Sequence, residues 1–71
     1  MVRVEAFNGG MFHYEVSGER EAEAAAELDR TLRFYERDLH TPGEFVLQDI
    51  ADKRSALAEK YGVEIRSALG D

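Results

Sequence analysis

The side chains best suited to catalysis or metal binding in this 71-residue chain are two histidines, a few hydroxyls and many carboxylates. His13 and His40 cannot close a zinc site without carboxylates, and no His-x-x-x-His spacing joins them. None of the candidate nucleophiles lies in a strand–turn–helix elbow; these are Ser17, Thr41, Ser55 and Ser67. The residues therefore predict no metal site, no cofactor and no enzymatic activity.

The carboxylates are the most abundant charged groups, and they determine which partners the chain can attract. Fifteen acidic residues against nine basic ones give a net charge of −6. A sequence-independent nucleic-acid binder needs the opposite balance, because it must displace counterions from phosphates. Direct nucleic-acid binding is therefore not expected. An acidic surface suits either plain solubility or a protein partner with a basic surface.

Three glutamates indicate where a protein partner with a basic surface could bind. Glu19, Glu23 and Glu27 are spaced four residues apart, so on one continuous helix they would form a single acidic stripe. The stripe is either a solvated helix face or a contact strip for a basic partner. If it is a contact strip, reversing the three charges to lysine should abolish binding and leave the fold intact.

Composition also bounds the size and location of the protein. The chain has no cysteine and no long apolar segment, so we expect a cytoplasmic protein that neither spans a membrane nor carries disulfides. Residues 1–71 should form one small domain with a thin core. Such a domain is stabilised either by tight packing as a monomer or by sharing its core in a homodimer.

The first two elements form a β-hairpin. Residues 2–7 and 11–16 alternate apolar and polar side chains, and Asn8-Gly9-Gly10 lies between them. A three-residue loop pairs Val2 with Val16 and opposes charges on the other face, whereas a two-residue loop puts charge among the apolar side chains. The predicted inner face is Val2, Val4, Ala6, Phe12, Tyr14 and Val16.

The same register leaves Phe7 and Met11 facing each other on the polar surface at the hairpin tip. These two side chains either cover the turn or anchor a partner, since both residue types are common in interface cores. A second copy of the chain is one such partner, with either this tip or the edge of the third strand buried in the contact.

A long amphipathic helix follows, predicted from Ser17 to Leu39 with Ser17 as its N-cap. One face carries the apolar stripe, which consists of Ala25, Leu28, Leu32, Tyr35 and Leu39. Phe34 lies off that stripe, beside Arg30, Arg33 and Arg37. Arginines around an aromatic ring are typical of peptide-binding and nucleic-acid-binding faces. An ion-paired helix surface with Phe34 at the core margin is the alternative.

The second half of the chain predicts another helix and a short strand. Thr41 and Glu44 suggest a capping box with Pro42 at the first helical position. This helix should bury Leu47, Ile50, Leu57 and Tyr61, with the Arg54 stem at the core edge, and should end at Gly62. Residues 63–66 alternate as a strand, with a helical turn over 64–69 as the alternative.

These elements predict an α+β domain of order ββααβ. The N-terminal hairpin and a short C-terminal strand make a three-stranded sheet, and two antiparallel helices pack on one of its faces. The opposite face of the sheet is polar and meets either water or a partner.

One segment resembles part of a known DNA-binding motif. Residues 57–64, with Ala58 and then Gly62-Val63, look like the junction between the first two helices of a helix-turn-helix. The resemblance implies a small DNA-binding regulator whose recognition helix would occupy residues 64–69. Only Arg66 is basic there, so this remains a minor alternative.

For function, the sequence favours a non-enzymatic protein-interaction module. The chain resembles, at the level of class, the small acidic cysteine-free proteins that phages encode as inhibitors, including anti-CRISPR proteins. That resemblance implies binding to a protein partner, with nucleic-acid mimicry as one mode of action. The candidate partner-binding residues are Glu19, Glu23, Glu27, Phe7, Met11, Arg30, Phe34 and Arg37. A self-associating structural module is the alternative.

Overall fold

The computed structural model describes residues 1–6, 12–38 and 43–67. Its elements are β1 (Val2–Ala6), β2 (Phe12–Ser17), α1 (Glu21–Asp38), α2 (Glu44–Tyr61) and β3 (Glu64–Ser67). The strands form one antiparallel sheet in the order β1-β2-β3. The predicted α+β architecture of order ββααβ is confirmed.

The hairpin register agrees with the prediction at every pair between residues 2–6 and 12–16. Val2 lies opposite Val16, Val4 opposite Tyr14 and Ala6 opposite Phe12. This register places apolar side chains together on one face and charged ones on the other, which explains why the sequence specifies it. The connection, together with Phe7 and Met11, lies outside the described residues.

The two faces of the sheet differ as the alternation requires. Val4, Ala6, Tyr14 and Val16 are buried on the inner face, and Val2 and Phe12 pack at its margin. The outer face carries polar cross-strand pairs instead. Arg3 Nε lies 3.6 Å from Glu15 Oε2, and His13 Nδ1 lies 3.3 Å from Glu5 Oε1. Exposed pairs of this kind add little stability.

The start of α1 differs from the prediction. Ser17 is the last residue of β2 and pairs with Glu64 of β3, so it is part of the sheet rather than the helix N-cap. The helix begins at Glu21. The Glu21 carboxylate accepts the Gly18 N–H at 3.2 Å, and the Glu21 N–H donates to the Gly18 carbonyl at 3.2 Å. These two bonds close the turn that leads into α1, and the Glu21 carboxylate satisfies the Gly18 N–H just before the helix.

Gly18 makes that turn possible because the backbone passes very close to β3. Its φ is +146°, a region that only glycine occupies readily. A Cβ added there would lie 2.9 Å from Val63 Cγ1 and 3.3 Å from Val63 Cα. The strand-to-helix turn therefore packs directly on the residue that leads into β3.

α1 supplies the centre of the core. Ala25, Leu28 and Leu32 of the predicted stripe are buried, and Tyr35 packs against the core at its edge. Ala24 is buried as well, which widens the stripe; Leu39 lies outside the described residues. α1 contacts β1, β2 and α2, while α2 contacts α1 and β3. The two helices thus form one layer over the inner face of the sheet.

α2 differs from the prediction at its first turn. Its N-cap is Gly43, so Glu44 is the first helical residue rather than the third residue of a capping box with Thr41. Thr41 and Pro42 lie outside the described residues. Leu47, predicted to face inward, is 44% exposed, and Val46 packs on the core in its place. Either residue fits helical spacing, because one precedes Ile50 by four positions and the other by three.

The rest of α2 follows the prediction. Ile50 and Leu57 are buried, Tyr61 packs at the core margin, and the Arg54 guanidinium lies 5.3 Å from the centre of the Tyr14 ring. Gly62 has φ +63° and ψ +38° and ends the helix, with the Val63 N–H donating to the Ala58 carbonyl at 3.0 Å. This is the left-handed glycine cap that the sequence predicts.

The helix-turn-helix alternative is wrong. Residues 64–67 form β3, antiparallel to β2, where a recognition helix would have to start. Ile65 pairs with Val16 and packs on the core, which explains the preference for a strand: extended backbone buries Ile65 against an existing sheet.

Candidate protein-interaction surface

The predicted binding residues fall in separate parts of the molecule. The first part lies on the second half of α1, where the helix presents an aromatic ring and a row of arginines to solvent. Phe34 is 58% exposed, whereas Leu28 and Leu32 are buried and Tyr35 is partly buried. Arg30 lies one turn before Phe34 and Arg37 one turn after it, so all three share one side of the helix. We call these three residues the Phe34 face.

The Phe34 ring is supported from beneath by the core margin. It meets the Tyr35 ring edge to face, with centroids 5.6 Å apart and planes at 78°. Such aromatic pairs are favourable beyond the area they bury. Tyr35 itself packs on the core, so it links the exposed ring to the interior. Phe34 is therefore partly held in place while most of its surface remains open.

A shallow groove runs along each side of Phe34. One, of about 390 Å³, is lined by Arg30, Thr31, Phe34, Tyr35 and Lys53, so it lies between α1 and α2. The other, of about 350 Å³, is lined by Asp29, Arg30, Arg33, Phe34 and Arg37 on α1 alone. Phe34 and Arg30 line both grooves, so they form the ridge between them.

The cations around Phe34 are not equally available. Arg33 Nε lies 3.3 Å from Asp29 Oδ2, and its Nη1 lies 3.7 Å from Glu36 Oε1. Lys53 Nζ lies 3.9 Å from Asp49 Oδ1. Within the described part of the chain, Arg30 and Arg37 form no salt bridge. The Phe34 face consequently has two uncommitted positive charges on a protein of net charge −6.

The predicted acidic stripe does not exist as a continuous helical row. Glu19 lies in the turn before α1 and is exposed, whereas Glu23 and Glu27 are on the helix. Glu23 is bound by Arg20, whose Nε and Nη2 donate at 3.2 and 2.8 Å. The Arg20 guanidinium, chiefly through these hydrogen bonds, holds the pKa of Glu23 below its ordinary value.

Glu27 is committed more completely, because it joins the two helices. The Tyr61 hydroxyl donates to Glu27 Oε1 at 2.6 Å, and Lys60 Nζ lies 3.2 Å from the same oxygen. The Tyr61 hydrogen bond first, and then Lys60, lower the pKa of the Glu27 carboxyl. The same contact raises the pKa of Lys60. This carboxylate thus joins the first half of α1 to the last turn of α2.

Arg20 completes this arrangement by covering the tyrosine ring. Its guanidinium carbon lies 4.6 Å from the centre of the Tyr61 ring, within cation–π range. We call this group of residues the Glu27 cluster; it consists of Arg20, Glu23, Glu27, Lys60 and Tyr61. The sequence predicted Tyr61 facing inward but not this cluster, because Glu27 and Tyr61 are 34 positions apart.

The contacts of Glu23 and Glu27 change how the acidic residues can be tested. Reversing Glu27 to lysine would place it against Lys60 and remove the acceptor of the Tyr61 hydroxyl. The expectation that triple reversal leaves the fold intact is therefore not supported by these contacts. Glu19→Lys is the cleaner test, since Glu19 forms no salt bridge within the described part of the chain.

Two more exposed apolar side chains lie at the start of α2. Phe45 is 94% exposed, and Leu47 lines a shallow groove with it, together with Glu44 and Gln48. By contrast, the edge strand β3 is only four residues long and exposes Glu64 and Arg66. Short charged edges discourage pairing with another strand.

In residues 1–6, 12–38 and 43–67, no three potential metal ligands come together. Of the helices that the structure describes, neither is both long and apolar enough to cross a membrane. No protein-family model, curated protein or solved structure matches this chain.

Proposed function

We propose that the protein is a non-enzymatic interaction module that binds another protein through the outer surface of its helical layer. The observation that carries the proposal is Phe34, an aromatic side chain 58% exposed on a ridge between two grooves and flanked by Arg30 and Arg37. Aromatic residues and arginine are the residue types most enriched at the centres of protein interfaces.

The choice of surface follows from how the two faces of the molecule use their polar groups. On the outer face of the sheet, Arg3 faces Glu15 and Glu5 faces His13. The polar groups of that face therefore already have partners within the sheet. On the Phe34 face an apolar ring is already exposed and two arginines are uncommitted, so binding there gains apolar burial and new charge contacts.

The mode of action we propose is masking: the module covers a surface that its partner needs for another contact. A small rigid domain can do this without chemistry of its own. The analogy with phage-encoded inhibitors, anti-CRISPR proteins among them, is a hypothesis consistent with this mode and rests on size and composition alone. A basic patch on the partner is a further hypothesis, for which Glu19 is the available acidic contact.

Site-specific photo-crosslinking tests the proposal. A photoreactive phenylalanine analogue replaces Phe34 in the full chain, and in a matched variant it replaces Arg3 on the outer face of the sheet. Both variants are irradiated in extract of the source cells. We expect a heterologous protein to crosslink at position 34, and the same protein to co-purify with the wild-type chain and to be released by excess unlabelled chain.

Three results would contradict the proposal. They are crosslinks at position 3 alone, crosslinks only between copies of the chain, and no crosslinked protein at either position. Crosslinks between copies would instead favour the self-associating module, and light scattering would then show a dimer mass. The Glu19→Lys variant, added to the same experiment, shows whether the partner's surface is basic: its yield of crosslinked partner should then fall.

A further inference from the structure

The Phe34 face has an order of chemical groups that specifies what it can bind. We propose that it accepts an acidic segment of a partner protein, in which one apolar side chain lies between two carboxylates. This inference rests on the proposed function and adds the chemistry of the partner's contact segment. It predicts a recognition pattern that the −6 charge of the whole chain does not suggest.

The central position of the pattern is apolar. Phe34 stands between a groove shared with α2 and a groove confined to α1. An aliphatic or aromatic side chain laid into either groove covers one side of the Phe34 ring. The groove toward α2 is also lined by Tyr35 and Thr31. Tyr35 packs on the core, and the Thr31 hydroxyl donates to the Glu27 carbonyl, so both side chains are held in place.

The flanking positions are anionic. Arg30 and Arg37 are seven residues apart on α1, which separates their backbones by about 10 Å along the helix axis. Both lie on the side of the helix that carries Phe34. Arginine binds carboxylates through two parallel N–H donors, so each can hold one acidic side chain of the partner. Two carboxylates on one face of a partner segment fit this spacing when they lie seven residues apart in a helix, or four residues (about 13 Å) apart in a strand, where only even separations share a face.

The charges beside Phe34 also disfavour a nucleic acid as the ligand of the Phe34 face. Arg33 and Lys53, the other two cations beside Phe34, already pair with Asp29, Glu36 and Asp49. Two cations without an ion pair release few counterions from a phosphate backbone, so they give it little affinity. A short protein segment needs only two such contacts and brings its own apolar anchor.

A second copy of the chain fits this face poorly. An acidic surface is needed to occupy Arg30 and Arg37, yet Glu23 is held by Arg20. Glu27 is held by Tyr61 and Lys60. The two helical glutamates of the predicted acidic stripe are therefore already bound within their own molecule. The occupant that the charges favour is a different protein.

Selection from a random peptide library tests the inference directly. The full chain is immobilised, short peptides are displayed without bias, and enriched sequences are measured individually by fluorescence anisotropy at low and high salt. We expect net-acidic peptides with one aliphatic or aromatic residue between two Asp or Glu, and affinity that falls as salt rises. A labelled single-stranded oligonucleotide serves as the competing class of ligand.

Matched variants assign the binding to this face. Phe34→Ser should weaken the peptides about tenfold or more, as loss of an interface anchor does. Phe45→Ser removes an even more exposed ring elsewhere and should change affinity by less than about twofold. The Arg30→Glu/Arg37→Glu double variant should abolish binding, whereas Arg3→Glu/Arg66→Glu, which makes the same charge change on the sheet, should not. Circular dichroism confirms that all four variants fold.

The inference is overturned if the selection enriches basic or uncharged peptides, if no peptide is enriched, or if Phe34→Ser binds as well as wild type. Tighter binding of the oligonucleotide than of any peptide would also overturn it. These results leave the proposed function standing whenever photo-crosslinking at position 34 still captures a protein. Failure of the crosslinking removes the proposed function itself, so the two failures are distinguishable.

Discussion

The two ends of the helical layer use the same kinds of side chain in opposite ways. At the Glu27 cluster, arginine, lysine, tyrosine and glutamate are joined to one another across α1 and α2, with the Tyr61 hydroxyl 2.6 Å from Glu27. At the Phe34 face, arginine and an aromatic ring are left open to solvent, with Arg30 and Arg37 forming no salt bridge among the described residues. Charges at the first end hold the helices together, and charges at the second remain available.

The contrast between the Glu27 cluster and the Phe34 face shows how binding residues can be separate from stabilising residues in a domain this small. A residue that is already bonded to neighbouring side chains is poorly placed to bind a partner, because the partner must first replace an existing contact. A residue that is exposed and uncommitted contributes little to folding and can be used for binding. Substitutions at the two ends should therefore have opposite consequences for stability and binding.

The largest effect on stability is expected for Gly18→Ala, at the same end as the Glu27 cluster. The φ of +146° is strained for alanine, at about 1–3 kcal/mol for such backbone conformations. The added Cβ would also crowd Val63, which leads into β3. For a domain of this size each kcal/mol lowers the melting temperature by about 4–8 °C. Thermal unfolding followed by circular dichroism measures the melting temperature of the variant. An unchanged melting temperature would contradict the close packing of this turn.

A smaller effect is expected for Glu27→Gln. The substitution keeps the shape but weakens the contacts with Lys60 and the Tyr61 hydroxyl, so the melting temperature should fall by a few degrees. Glu59→Gln is the matched control, since it makes the same charge change at an exposed position of α2 and should leave the melting temperature nearly constant. If both variants melt alike, the Glu27 cluster does not stabilise the fold. Tyr61→Phe should reproduce part of the Glu27→Gln loss.

Acid should weaken the Glu27 cluster further. Because hydrogen bonds from Tyr61 and Lys60 depress the pKa of Glu27 in the folded state, its contribution is fully present above the ordinary value of 4.5. It is lost as the pH falls below 4.5 through the depressed folded-state pKa. Urea unfolding measured from pH 7 downward should therefore show a shallower acid loss for Glu27→Gln than for wild type, with Glu59→Gln following wild type. Parallel curves for all three proteins would show that Glu27 is not involved.

The smallest effect on stability is expected for Phe34→Ser. Phe34 is mostly exposed and its loss removes mainly the edge-to-face contact with Tyr35, so the free energy of unfolding should change by about 0.5 kcal/mol, the low end for an aromatic pair. The same substitution should remove binding of the crosslinked partner, which is the reverse of what Glu27→Gln does. Urea unfolding and co-purification, run on both variants, complete the comparison. A large loss of stability in Phe34→Ser would make the ring part of the core and contradict its assignment as a binding residue.

Local pattern was enough to predict much of this fold. The hairpin register follows from period-two alternation around a glycine-rich turn, since only one register puts like side chains on each face. The stop at Gly62 follows from the need for a left-handed residue after a helix. Residues such as Leu28 and Leu32 lie on one helical face at a spacing that demands burial.

The candidate surface was predictable only in part. The exposure of Phe34 beside its arginines follows from its position off the apolar stripe of α1. The commitment of Glu27 could not be foreseen, because its partners lie in a helix that is distant in sequence. An isolated list of glutamates at four-residue spacing does not show which of them already have partners.

The elements, their order and the hairpin pairing could be predicted from local pattern, because they depend on side-chain period and turn residues within short windows. Tertiary structure decided how far each element runs and which charges stay free. Because Ser17 pairs with Glu64, it belongs to β2, and Gly18 and Glu21 form the turn into α1. Packing on the core turned Val46 inward in place of Leu47. Both outcomes depend on where a distant element lies, and no short window of sequence contains that information.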